Sequence, residues 1–367
     1  MKSLAQLGNE LYSGRTSIPF VAKRRIWYSA ALCVIVGAAV LLGVVGLNPG
    51  IDFKGGTEVT ITGISSPSEA PASAVVAAQG LPASTSVTTM GSSSVRVQTS
   101  ELSPQQSEDL STALAEAYDV DAASVSATTI GPTWSSDVTS KAVRGLIIFF
   151  LMVGALIWAY FRTWKMAAAA LLALCHDIII TVGVYAATGF EVTPATIIGV
   201  LTILGYSLYD TVVVFDKIRE NTTSWQAQTR STYAELANLA VNQTFIRSVN
   251  TSVVGVLPVA SLLVVGAFIL GAGTLRDIAL TLFIGMIAGT LSSVFLATPL
   301  LIDLRRREHD IVEHDAKVAK ARAKRLEEVA DDPEAAAALA HAPSAAPLVP
   351  GHHLGVAAQP KRRRKKS

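Results

Sequence analysis

Long apolar runs separated by polar stretches dominate the 367-residue chain. Crossing a bilayer core of ~30 Å as a helix takes ~20 apolar residues. Six runs qualify: residues 26–47, 145–161, 166–190, 192–215, 253–273 and 278–302. They do not alternate, so they read as helices, which satisfy their own backbone hydrogen bonds in lipid. The first is too long for the apolar core of a secretory signal and lacks a small-residue cleavage site before Pro49 and Gly50.

Between the first two runs, residues 48–141 follow a different rhythm. Residues 57–62 alternate, with Val59 and Ile61 on one face. Ser66-Pro67-Ser68-Glu69 and Ser103-Pro104-Gln105-Gln106 both read as capping boxes with proline at the first helical position, predicting helices near 67–79 and 104–118. Residues 86–90 and 94–99 flank Gly91-Ser92 and read as a hairpin, and 124–130 reads as a last strand. The order βαββαβ is that of the split ferredoxin-like motif. The fold class expected is a membrane α-helical protein: a six-helix transmembrane bundle (26–47 and 145–302) with a small α+β ferredoxin-like extracytoplasmic domain (48–141). The domain's small size and low apolar content predict that it leans on a partner.

Composition narrows the class. Half the residues are hydrophobic and 16% are charged, against ~25% in soluble domains. That balance excludes a water-soluble globule and a mostly disordered chain, and two cysteines exclude a disulfide scaffold. Cys33 and Cys175 fall within spans and are expected to pack. The net charge of +2 conceals a segregation: residues 1–25, 162–165, 216–252 and 303–367 hold 25 of the 30 lysines and arginines. The positive-inside rule places those segments, and both termini, in the cytoplasm, making this a multi-pass protein of the cell membrane. Residues 1–25, with Leu4, Leu7 and Leu11 at helical spacing, read as an interfacial segment in contact with lipid. Residues 303–329 read as a charged extension of the sixth helix, and 330–367 as a disordered tail ending in six consecutive bases at 361–366. Such bases beside an anionic leaflet contribute ~1 kcal/mol each.

Candidate chemistry lies inside the membrane, where acids are costly and mark function. Asp210 sits in Gly205-Tyr206-Ser207-Leu208-Tyr209-Asp210-Thr211, a polar patch in an apolar run, about 8 Å from its inner end at ~1.5 Å per residue. Arg247, Asn250, Thr251 and Ser252 enter the next span at a similar depth. A carboxylate there can alternate between a protonated form and an ion pair with Arg247, since desolvation and the arginine pull its affinity for protons in opposite directions. Asp177, beside His176, reads either as part of the same proton-coupling cluster or as a helix-packing acid. Interhelical hydrogen bonds of a purely structural kind, worth ~0.6 kcal/mol each, are the competing account. Glu191 and Asp277, at the outer ends of spans, are expected to be solvated. Gly50-Ile51-Asp52-Phe53-Lys54-Gly55-Gly56-Thr57 is Gly-rich but lacks the ending of a phosphate-binding loop. No metal-ligand spacing, cofactor fingerprint or nucleophile–base pair stands out, so no cofactor, no metal and no enzyme activity are expected.

These residues also carry a family resemblance. Gly50–Thr57 resembles the first signature of the bacterial SecD/SecF family, with Gly50, Asp52, Phe53, Gly55, Gly56 and Thr57 as its motif positions. Residues 191–196 lead into 201–221, which resembles the fourth-helix signature of the SecF branch, and 247–252 and 289–295 match two further segments. The match runs in order over roughly residues 10–305, and the outer loop is short for SecD. The resemblance implies half of a resistance-nodulation-division type unit, paired with SecD beside the SecYEG channel. It implies use of the proton-motive force to complete export of unfolded secretory polypeptides after pushing by SecA. By position it makes Asp210 the proton-binding acid and Arg247 its partner, with Tyr206, Ser207, Thr211, Asn250 and Thr251 as polar surround. The competing functions are a membrane scaffold without proton coupling and a homodimeric proton-driven exporter of small molecules.

Overall fold

The computed structural model describes residues 4–223, 225–266 and 273–328; the tail expected over 330–367 lies outside them. Its elements in order are α1 (Leu4–Tyr12), α2 (Arg24–Val44), β1 (Asn48–Pro49), α3 (Ile51–Lys54), β2 (Gly56–Ile61), α4 (Glu69–Ala78), β3 (Ser86–Met90), β4 (Ser94–Thr99), α5 (Pro104–Tyr118), β5 (Val125–Ile130), α6 (Pro132–Phe161), α7 (Trp164–Thr188), β6 (Glu191–Val192), α8 (Pro194–Asn221), α9 (Tyr233–Val264), α10 (Gly273–Ser292), α11 (Thr298–Arg305) and α12 (His309–Glu328). A π-turn, Ser293–Ala297, joins α10 to α11. Among the described residues six helical stretches are long and apolar enough to cross a membrane. The protein is a multi-pass membrane protein.

The α+β domain has the expected topology. Its sheet runs β3-β4-β2-β5 with every neighbour antiparallel. Val59, Ile61, Val95 and Val97 face Ala72, Leu110 and Leu114 of the two helices in one buried cluster. Each such aliphatic side chain contributes ~1.5–3 kcal/mol when fully buried. Ser103 forms the capping box with Gln106, as the sequence predicts. The box read at Ser66 does not form: Ser68 is the cap, accepting from the Ala70 N–H. Pro71 is the reason. A helix opening at Pro67 would put Pro71 in its second turn, where it removes a hydrogen bond; opening at Glu69 leaves it among the first-turn residues that need no partner.

Two compact units divide the chain. The first gathers the described parts of Met1–Arg25, Val212–Val249 and Thr298–Ser367. Here α1 meets protein through Leu11 and Gly8. Leu11 is fully buried, and Gly8 lies against Ile246 of α9. Asn242 and Asn238 accept the backbone N–H groups of Ile18 and Val21. The charged segment after the last span does not simply extend it. The helix stops at Arg305, and α12 starts afresh at His309. Ile311, His314 and Val318 form a buried stripe on α12, with His314 edge-on to Trp225 and its Nε2 2.8 Å from the Gln228 carbonyl. An uninterrupted extension would leave that stripe in water.

The second unit, Ile26–Thr211 and Asn250–Ala297, holds the α+β domain and most of the membrane helices. Glycines let helices approach closely: a methyl on Gly285 would meet Ile203 at 2.5 Å, and one on Gly199 would meet Thr281 at 2.8 Å. Cys33 and Cys175 do not pack; both are exposed on the helix surfaces. The second span is longer than its apolar run, because Pro132 starts α6 and nothing breaks it before Arg162 at φ 54°.

Candidate functional site

Ser207, Asp210 and Thr211 stand three and four residues apart on α8, so they share one face. All three are buried, as are His176 and Asp177 on α7. Ser207 Oγ donates to Asp177 Oδ2 at 2.6 Å. Ser293 Oγ, from the π-turn, donates to Asp210 Oδ2. Each buried acid is thus met by a serine hydroxyl from a neighbouring helix. The π-turn widens the helix at the residue that meets the acid, a placement typical of functional sites. Gly289, one turn earlier, permits the approach, since its Cβ would lie 2.7 Å from that of Ser207.

The polar surround continues through Tyr206, whose hydroxyl donates to the Thr251 carbonyl at 2.9 Å, and through Ser252 and Thr290, 2.5 Å apart. Asp177 Oδ1, both ring nitrogens of His176 and Thr211 Oγ1 are buried with no hydrogen-bond partner among the described residues. A buried acid with spare acceptor capacity is costly as structure alone. Of the residues singled out in the sequence, Asp177, Tyr206, Ser207, Asp210, Thr211 and Thr251 fall within one unit, where Ser207 meets Asp177 and Tyr206 meets Thr251. Arg247 lies on α9 in the first unit, and Arg247 and Asn250 are both on exposed positions of that helix. Sequence reasoning missed the role of Ser293. It marks 289–295 as a family segment, but the hydroxyl meets Asp210 only because the helix departs from α geometry.

Glu191 and Asp277 correct the expectation of solvated ends. Asp277 is buried, bonded to Arg276 and accepting from Thr193 Oγ1 at 3.1 Å. Glu191 pairs with Arg96 at 2.8 Å. The Gly-rich segment is a structural corner. Gly55 has φ 78° and Gly56 φ 136°, and a Cβ on Gly56 would collide with the Thr99 carbonyl oxygen. Thr57 Oγ1 accepts from the Leu102 N–H at 3.0 Å. Burial, then the nearby Glu58 charge, raises the affinity of Asp52 for its proton, against its own backbone hydrogen bond and Arg96.

The family described as "Protein export membrane protein SecD/SecF, C-terminal" matches residues 109–307, and the "SecD/SecF GG Motif" matches residues 40–62. The chain belongs to the SecD/SecF family. Its relatives include the protein translocase subunit SecF of Streptomyces coelicolor, 46% identical over 84% of this chain and 82% of that one. The SecF of Mycobacterium tuberculosis H37Rv is 42% identical over 86% and 73%. Among solved structures, SecDF of Thermus thermophilus, described as a translocon-associated membrane protein, superposes with a TM-score of 0.71 at 30% identity. That match covers 80% of this chain and 39% of the SecDF chain, so this chain spans about two-fifths of that SecDF. Membership of the SecD/SecF family accounts for the glycine corner, which is the segment matched by the GG motif, and for the six spans.

Proposed function

We propose that this protein is the SecF subunit of a protein translocase, pairing with SecD beside the SecYEG channel. On this reading it uses the proton-motive force to complete the export of unfolded secretory polypeptides after SecA has pushed them. The single observation that supports it most is Asp210, a buried carboxylate in an apolar helix, held by a serine from a π-turn. Protonation from the outer side neutralises Asp210 and ends its attraction to Arg247, with Asp177 as a second carboxylate of the same path. The bundle then shifts against SecD, and the α+β domain, on the extracytoplasmic side, moves with it. One charge crossing 100 mV supplies ~2.3 kcal/mol, enough to move a two-state equilibrium by more than tenfold. Both termini are cytoplasmic, as the distribution of lysine and arginine implies.

Export complementation tests it. In cells depleted of the native protein, wild type should clear unprocessed secretory precursors and Asp210→Asn, at equal membrane level, should not. Clearance by both would leave the chain a scaffold, and clearance by neither would remove it from export.

A further inference from the structure

The α+β domain buries one face of its sheet under α4 and α5. The opposite face carries Glu58, Arg96 and Gln98, and a sheet of this kind commonly turns such a face to water. Here it receives Glu191, from the turn between α7 and α8. Arg96 Nη1 lies 2.8 Å from Glu191 Oε2, and Arg96 Nε lies 3.4 Å from Glu58 Oε1. Gln98 Nε2 donates to Glu191 Oε1 at 2.7 Å and to Glu58 Oε2 at 2.9 Å. The side chains of Arg96 and Glu191 are 13% and 11% exposed, so this is not a screened surface pair.

The backbone reinforces the contact. β1 and β6 pair in parallel, Asn48 with Glu191 and Pro49 with Val192. The Gly50 N–H donates to the Val192 carbonyl at 2.9 Å. A Cβ on Gly50 would stand 2.7 Å from Glu191 Oε1, so the glycine is what admits the carboxylate. On its far side the turn is tied to α10 by the Thr193–Asp277 hydrogen bond. Thr193 and Thr196 then cap α8 reciprocally, at 3.1 and 3.3 Å. Glu191 is thus three residues from Pro194, the start of the helix that carries Asp210 about 24 Å further on.

We propose that Glu191 and Arg96 form a rigid joint through which the α+β domain and the start of α8 move as one body. Arg96 is its positioning residue. Without it, Glu58 and Glu191 face each other across Gln98, and motion of α8 dissipates as hinging in the turn. The inference rests on the export reading above, since it supplies the path from Asp210 to the α+β domain.

The test uses the full chain co-produced with its SecD-type partner, with Cys33→Ser and Cys175→Ser. Spin labels at Glu108→Cys on α5 and Ile198→Cys on α8 report the distance across the joint by pulsed electron paramagnetic resonance. The expected distribution is narrow, is unchanged by Asp210→Asn, and broadens at least about twofold in Arg96→Ala. An Arg96→Ala distribution as narrow as the parent's overturns the proposal. In a second protein, Arg96→Cys with Glu191→Cys should lower export roughly tenfold, and a short bifunctional thiol reagent joining the two cysteines should restore it. Export abolished by the bridge would mean that the joint must open, and the proposal fails. Normal export by Asp210→Asn, in contrast, sinks the proton-coupling reading and leaves the distance comparison standing.

Discussion

Ser207 and Asp177, on adjacent helices, share a fully buried hydrogen bond of 2.6 Å in which the serine hydroxyl donates to the carboxylate. Removing the donor leaves the acid without a side-chain hydrogen-bond donor among the described residues, which costs about 1–3 kcal/mol. Ser207→Ala is therefore expected to lower thermal stability in detergent by that amount. Asp177→Asn, which keeps an acceptor for the hydroxyl, should cost less. A larger loss from Asp177→Asn would show that the carboxylate's charge, rather than the hydrogen bond, holds the helices together.

Gly289 gives a steric prediction. Its Cβ would lie 2.7 Å from Ser207 Cβ and 2.9 Å from Ser207 Oγ, whereas nothing lies within 4 Å of a Cβ on Gly205. Gly289→Ala should cost about 1–3 kcal/mol of stability through overpacking and weaken export. Gly205→Ala, on an exposed position of α8, should lower neither. Unfolding curves of the two variants, run in parallel with export assays, decide it.

The glycine corner separates backbone strain from collision. Gly63 has φ 79° with open space around it, so Gly63→Ala pays for conformation alone, about 1–2 kcal/mol. Gly56 at φ 136° adds the clash with the Thr99 carbonyl. Gly56→Ala should disrupt the edge of the sheet where β2 begins. Hydrogen exchange at Thr57, Thr99 and Thr129 should rise sharply in this variant and stay near wild type in Gly63→Ala.

Asp52 makes stability depend on pH. Its proton affinity is raised in the folded state above the ordinary 3.8. It therefore binds its proton more tightly folded than unfolded, and its contribution is full below the unfolded value and lost as pH rises through the folded one. Asp52→Asn cannot lose it. The variant should unfold at the same temperature as wild type near pH 3 and at a higher one near pH 7. A lower midpoint at pH 7 would mean that the folded protein prefers the ionised carboxylate.

Much of the architecture was legible because apolar run length and strand alternation are local properties. The hairpin of β3 and β4 and the capping box at Ser103 are set by residues within a few positions of each other. The cap at Ser68 was misplaced because Pro71 competes with Pro67, and the winner is settled by which one falls in a hydrogen-bonded turn. The acids Asp177 and Asp210 stood out from cost alone. Ser207 stood out only as polar surround and not as the donor to Asp177, and Ser293 did not stand out as a partner, because a serine in an apolar helix is cheap and the π-turn that aims Ser293 has no local signal. Glu191 and Asp277 looked solvated for a related reason. Position along a span gives depth, but their arginine and threonine partners come from Arg96, Arg276 and Thr193, and only the tertiary fold brings Arg96 to Glu191.

The asparagine clamp on the N-terminal segment has a consequence for synthesis. The carbonyl of Ile18 and the side chain of Asn242 are 224 residues apart in the chain. At ~5–20 residues per second, the segment emerges from the ribosome roughly ten to forty-five seconds before its partner exists. The α+β domain, whose sheet closes between Gly56 and Ile130, becomes foldable well within that interval. The residues around Ile18 are made long before they find their place, and the unit they belong to can close only after α9 has been synthesised.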